Sequence, residues 1–320
     1  MEGEVDALAK ISAGLDVHKE MVMCTVLREE EDGQISKQTV KYPAYRKKLR
    51  ELAHWLKSQD IEIAVMESTG VYWKTVYEVL EEEELKAFVV NAQHIKKVPG
   101  RKTDVLDSEW LAELARCGLL KASFVPPKDL RQLRVLTRYR RKLSGYLAGE
   151  KNRLHKVLDD CGYKISCVVS NINGVTAKKM LNSLMEGGQS PKEIALQASI
   201  KLRKKDRNEI ELALDGHMSD HHRFVLQRIQ KHIVWLEQQI QEIDEQVGKA
   251  LQPHKEALEL LQTIPGLDAL SAAMLLAEIG TDMSRFGSKE RLSSWAGICP
   301  GNNASAGKKR VAEWSRATDM

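Results

Sequence analysis

The chain has 320 residues and a formal net charge of only +4, so it can hold two or three domains with their own cores, and any nucleic-acid binding has to rest on local patches rather than bulk charge. Five cysteines, none in a CxxC pair, argue against a disulfide framework or zinc site and for a reducing cytosol. The first residues are acidic where a secretory signal is basic, and no apolar run nears the roughly 20 residues of a membrane span.

Residues 11–16 and 21–27 are apolar runs joined by Val17-His18-Lys19-Glu20, the pattern of a hairpin. The acidic stretch 29–33 reads as a turn and 36–42 as a third strand. Residues 45–59 have helical spacing, with Leu49, Leu52 and Leu56 on one face. A buried-type strand at 61–67, a helix at 75–85, a strand at 87–91 and a helix at 103–117 follow. A hairpin followed by βαβα units predicts a mixed sheet with helices on its faces.

The pattern then changes. Residues 130–158 read as one helix, with Leu133, Leu136, Leu143, Leu147 and Leu154 at heptad spacing, interrupted by Arg140 and Glu150. Across 128–160 ten Lys or Arg face four Asp or Glu. A second long helix, 223–251, carries Leu226, Ile229, Ile233, Leu236, Ile240, Ile243 and Val247 at alternating spacings of three and four. That is an a/d seam and predicts a coiled-coil partner, in the same chain or in a second subunit. Between them, 171–207 reads as short helices broken at Gly187-Gly188, with a basic cluster of Lys201, Arg203, Lys204, Lys205 and Arg207. Near Pro253 the last part begins. Ile264-Pro265-Gly266 before an apolar helix at 271–279 has the form of a helix-hairpin-helix, whose turn amides and helix N-terminus can hold a phosphate. A polar loop at 302–310 closes the series, with Ser305 ahead of Lys308, Lys309 and Arg310.

Four acids carry the candidate chemistry. Asp16 and Glu67 each close an apolar strand, where a charge is costly without a partner. Asp104 and Asp107 stand three apart at the start of a predicted helix, where the dipole favours an acid in any case. Carboxylates at neighbouring strand ends, met by a pair on a helix, suit hard divalent cations that leave room for phosphate oxygens, and two such ions can clamp a phosphodiester. His18 reads as turn polarity, whereas Lys19 can reach a phosphate. Lys96, Lys97, Arg101 and Lys102 form a basic loop just before Asp104; it is either a contact for a nucleic-acid backbone or a solvated surface. Ser305, with no base beside it in sequence, is an ordinary loop residue unless packing activates it.

These residues resemble a known family. Gly14-Leu15-Asp16-Val17-His18-Lys19, Met66-Glu67-Ser68-Thr69-Gly70 and Lys102-Thr103-Asp104-Val105-Leu106-Asp107, followed by Ile264-Pro265-Gly266, Gly297-Ile298-Cys299-Pro300 and Ser305-Ala306-Gly307-Lys308, are similar to the DEDD transposases of IS110-type insertion sequences. The resemblance implies a RuvC-like domain of ribonuclease H fold at 1–125, a helical coiled-coil domain at 126–252 and a small C-terminal transposase domain at 253–320. It further implies Mg²⁺ (or Mn²⁺) on Asp16, Glu67, Asp104 and Asp107, and Ser305 as a nucleophile that forms a phosphoserine link with DNA. A bridge RNA pairing with donor and target DNA, a homodimer or higher oligomer through the coiled coil, and a cytoplasmic, nucleoid-associated location complete the expectation. Nucleic-acid contacts are expected at Lys19, Lys96, Lys97, Arg101, Lys102, Lys201, Arg203, Lys204, Lys205, Gly266, Lys308 and Lys309. The tail 310–320 does not resemble the family's continuation, so a shortened C-terminal domain is expected. Two other readings stay open: a RuvC-like nuclease that uses water, and a nucleic-acid-binding remnant without activity.

Overall fold

The computed structural model describes residues 9–68, 70–95, 106–172, 174–196, 207–298, 304–305 and 308–309, with backbone alone at 93–94, 207 and the last four. The chain divides into two compact units, Met1–Val125 and Pro126–Met320.

The first unit is built on β1 (Ile11–Val17), β2 (Met21–Glu29), β3 (Ile35–Pro43), β4 (Ile63–Glu67) and β5 (Ala87–Val90). They form one five-stranded sheet in the order β3-β2-β1-β4-β5. The first three strands are an antiparallel meander, whereas β4 pairs parallel with β1 and β5 parallel with β4. The predicted mixed sheet is therefore present, although β4 starts at Ile63 rather than 61.

Side-chain alternation sorts the two faces. Ala13, Leu15, Ala64 and Met66 point to one face. There they meet Leu49, Leu52 and Leu56 of α1 (Arg46–Ser58) and Val76, Val79 and Leu80 of α2 (Trp73–Glu82). Each fully buried leucine contributes about 1.5–3 kcal/mol. On the other face Val65 and Val90 pack with Ile95 of α3 (Ala92–Ile95) and with Leu111, Leu114 and Ala115 of α4 (Asp107–Arg116). Among the described residues α4 begins at Asp107, because Leu106 before it is extended. The helix start predicted at 103 lies outside the described residues, as does Asp104.

In the second unit α5 (Lys128–Asp160) and α10 (Asp220–Ala250) lie antiparallel. Leu154 and Leu158 meet Leu226, Ile229 and Ile233 at one end. Leu130 and Leu133 meet Val247 and Leu251 at the other. The apolar seam of α10 thus finds a partner in α5 of the same chain. The two interruptions of the α5 pattern are met as well. Arg140 Nη2 donates to Asp244 Oδ2 at 3.0 Å, and the buried Glu150 lies 3.4 Å from His232. Short helices α6 (Ile165–Val168), α7 (Val175–Glu186), α8 (Pro191–Leu196) and α9 (Arg207–Ala213) close the first end of the pair.

At the other end lie α11 (Lys255–Gln262) and α12 (Ala269–Ile279), with Ala273, Leu276 and Ala277 of α12 in the core. A 3-10 turn at Met283–Phe286 and α13 (Lys289–Trp295) follow. They lead to a short hairpin, β6 (Ala304–Ser305) and β7 (Lys308–Lys309). No helix among the described residues is long and apolar enough to cross a membrane.

Candidate functional site

Strands β1 and β4 run in the register Ser12↔Ile63, Ala13↔Ala64, Gly14↔Val65 and Leu15↔Met66. The next residues along the two strands are Asp16 and Glu67. Two carboxylates therefore end adjacent parallel strands at the same level. Alternation places Asp16 on the face of Ser12 and Gly14, and Glu67 on the face of Val65. That is the face α4 covers. Ser12 Oγ donates to the Ala112 carbonyl at 2.9 Å, and a Cβ added to Gly14 would lie 2.0 Å from the Ser108 carbonyl oxygen. Ala112 over Ser12 and Ser108 over Gly14 mean that α4 points its N-terminus, Asp107, toward Asp16.

Three of the four predicted acids are thus carried to one end of one sheet face. Asp16 and Glu67 are half-buried and Asp107 is exposed. His18, expected to be plain turn polarity, places Nε2 2.9 Å from Asp16 Oδ2. The donors are oxygens, the chemistry of a hard divalent cation. Among the described residues, however, no three Asp, Glu, His or Cys side chains converge as a ligand set.

Some residues that position the site were not singled out by sequence. Thr25 Oγ1 lies 2.8 Å from Ser108 Oγ and 3.0 Å from Thr39 Oγ1, tying α4 to β2 and β3. At its far end, Arg116 Nη1 reaches Glu29 at 3.1 Å and Nη2 reaches Glu113 at 2.9 Å. The Arg116 hydrogen bond holds the Glu113 carboxyl below its ordinary range. Lys37 bonds Glu109 at 3.0 Å. A signal for the close approach was available in Gly14, because a glycine inside a strand often marks another backbone nearby.

Of the expected nucleic-acid contacts, Lys19 is exposed in the β1–β2 turn. Lys96, Lys97, Arg101, Lys102, Lys201, Arg203, Lys204 and Lys205 lie outside the described residues. Gly266 has φ +89° in the turn between α11 and α12. Asp268 caps α12 by accepting from the Ser271 amide at 2.7 Å, so an anion there meets a carboxylate. Ser305, expected in a loop, is in β6 and pairs with Lys308 of β7; the loop expectation is corrected for those residues. Ser305 belongs to the second unit and the acids to the first.

Residues 13–162 match a family model of DEDD type, described as a transposase, and residues 258–320 match one described as the transposase IS116/IS110/IS902 family. A curated relative, the insertion element IS900 uncharacterized 42 kDa protein of Mycobacterium paratuberculosis, is 32% identical over 76 residues, or 24% of this chain and 19% of that protein. The match thus spans about a fifth of that relative's length. Among solved structures, RuvC of Thermus thermophilus is similar at 14% identity over 35% of this chain and 99% of its own, with a TM-score of 0.28. The same enzyme in complex with a Holliday junction substrate is similar at 12% identity over 36% of this chain and 99% of its own, with a TM-score of 0.29. The two model matches fall in order and together span most of the sequence, and with them the chain belongs to the IS110-type family of insertion-sequence transposases.

Proposed function

We propose that this chain is a DNA recombinase of an insertion element. It cuts and exchanges DNA strands with Mg²⁺ (or Mn²⁺) held by Asp16, Glu67, Asp104 and Asp107, with Ser305 as nucleophile and a bridge RNA pairing with donor and target DNA. The observation that carries the reading is the register of β1 and β4, which sets Asp16 beside Glu67 on the face whose covering helix starts at Asp107. When bound, the ion supplies charge neutralisation at a phosphate and lowers the pKa of an oxygen nucleophile. His18 holds one oxygen of Asp16 and so fixes how that carboxylate is presented. Attack by the Ser305 hydroxyl exchanges one phosphodiester for another. The strand's bond energy is kept in the phosphoserine link, and rejoining needs no nucleotide cofactor.

In this reading 1–125 is the RuvC-like catalytic domain, 126–252 the helical coiled-coil domain and 253–320 the C-terminal transposase domain. Lys19, Lys96, Lys97, Arg101 and Lys102 contact backbone phosphates near the acids. Lys201, Arg203, Lys204, Lys205, Lys308 and Lys309 do so in the second unit, and Gly266 through its turn amide rather than through the α12 N-terminus that Asp268 caps. Base pairing rather than side chains reads the sequence, and the protein works as a homodimer or larger assembly on cytoplasmic, nucleoid DNA.

The test is strand transfer between donor and target duplexes with the RNA supplied. Wild-type protein is expected to leave a covalent DNA adduct that Ser305→Ala lacks, and Asp16→Asn is expected to abolish cleavage. Cleavage without any adduct in the wild type points instead to a nuclease that uses water.

A further inference from the structure

We propose that the outer face of α5 is a docking surface for an unpaired segment of RNA. One side of α5 sends Leu130, Leu133, Leu143, Leu154 and Leu158 into the core. The other carries Tyr139, Lys142, Tyr146, Gly149, Arg153 and Lys156 at alternating spacings of three and four. Such residues form one straight stripe, about 25 Å long at roughly 1.5 Å per residue. Tyr139 is 51% and Tyr146 61% exposed, so two aromatic rings stand in water on a rigid helix.

The charge of this face is one-sided. Between Leu130 and Leu158 the sole acid in the sequence is Glu150. It is buried on the α10 side, 2.7 Å from Arg153 and 3.4 Å from His232. Arg141, Lys142 and Lys156 have no ion-pair partner among the described residues. A second copy docking on this face would set like charges against each other. An apolar partner would strip water from unpaired cations. A polyanion neutralises them and releases counterions. The interleaved tyrosines narrow the choice further, because they offer faces on which bases stack.

The shape agrees. A Cβ added to Gly145 or Gly149 meets nothing within 4 Å, and neither has a positive φ. The fold therefore does not require glycine at either position, although glycine weakens a helix interior relative to alanine. What the pair provides is a shallow saddle beside Tyr146 that another backbone can approach. Duplex DNA keeps its base faces stacked, whereas a folded RNA presents unpaired bases in loops and bulges. The occupant is accordingly an unpaired RNA segment. The inference deepens the reading above and rests on it for the class of the partner.

Fluorescence anisotropy with the full chain tests it, using a labelled unstructured oligouridine and a blunt DNA duplex of equal length. The double variant Tyr139→Ala, Tyr146→Ala is expected to weaken RNA binding at least tenfold and to change duplex binding less than twofold. Lys142→Gln with Lys156→Gln should flatten the dependence of log affinity on log salt by about 0.7 per cation removed. Gly149→Gln, a better helix former that fills the saddle, should raise the melting temperature yet weaken RNA binding about tenfold, a combination that misfolding cannot produce. Iodouridine placed in the RNA should crosslink to Tyr139 or Tyr146.

RNA affinity unchanged in the tyrosine and Gly149 variants overturns the proposal, and so does an equal loss of duplex binding. It also falls if Gly149→Gln turns a dimer into a monomer in sedimentation while RNA affinity holds. If the tyrosines prove necessary for RNA binding but the wild type never cleaves DNA, the catalytic reading fails and this one stands.

Discussion

At Gly14 the sheet and α4 come so close that a single methyl group has no room. The added Cβ would stand 2.0 Å from the Ser108 carbonyl oxygen and 2.5 Å from the Ala112 amide nitrogen. Both are backbone atoms, so the helix itself has to lift. Gly14→Ala is expected to cost about 3 kcal/mol or more, at the upper end of overpacking, read as a lower urea midpoint. Ser108→Ala is the control. Thr25 keeps its contact with Thr39, so losing the Ser108 hydroxyl should cost about 1 kcal/mol. Equal losses in the two variants would mean that the layers are looser than this geometry requires. Asp16 and Glu67 could be singled out from sequence because a charge that ends an apolar run is costly, a local signal. The roles of Gly14 and Ser108 could not, because the helix that lands on the glycine is set by packing about a hundred residues away. From sequence His18 reads as turn polarity, because its two-residue offset from Asp16 on a strand end does not by itself fix a side-chain contact.

The paired long helices show the same division at the scale of elements. The apolar seam of α10 was plain from its spacing, and so were the interruptions of α5 at Arg140 and Glu150. Their partners, Asp244 and His232, were not, because antiparallel register depends on everything folded between the helices. A polar group set in an apolar seam penalises the wrong register more than it stabilises the right one. In a double-mutant cycle with Leu at 140 and 244, the coupling between Arg140 and Asp244 is expected at about 1 kcal/mol, modest because Asp244 is 40% exposed. Zero coupling would reduce the pair to a surface contact. The cap of α12 gives a pH prediction. The Ser271 backbone bond, and then its side chain, hold the Asp268 carboxyl below its ordinary range. A depressed carboxylate stabilises above the unfolded pKa, roughly 3.9, and that stability is lost as pH falls through the folded value. The melting-temperature advantage of wild type over Asp268→Ala should therefore be flat above about pH 5 and shrink in stronger acid, as circular dichroism can follow. Asp268→Asn, which caps without titrating, should keep its advantage over Asp268→Ala across the same range.

For the whole molecule, the acids and Ser305 lie in different units, so the proposed cation binding and the proposed covalent chemistry can be measured apart. Asp16→Asn and Glu67→Gln keep side-chain size and hydrogen-bonding capacity, so both should fold about as stably as wild type in chelator. Added Mg²⁺ should raise the wild-type melting temperature, because a ligand at a hundred times its dissociation constant adds about 2.7 kcal/mol to the folded state. Neither acid variant should respond. In the proposed reading the acids rather than the serine hold the ion, so Ser305→Ala should respond like wild type while making no covalent adduct. Potassium chloride at equal ionic strength serves as the control for general screening. A wild-type shift no larger with Mg²⁺ than with that salt would remove the metal from the proposed chemistry. A response that survives Asp16→Asn would move the metal away from the ends of β1 and β4.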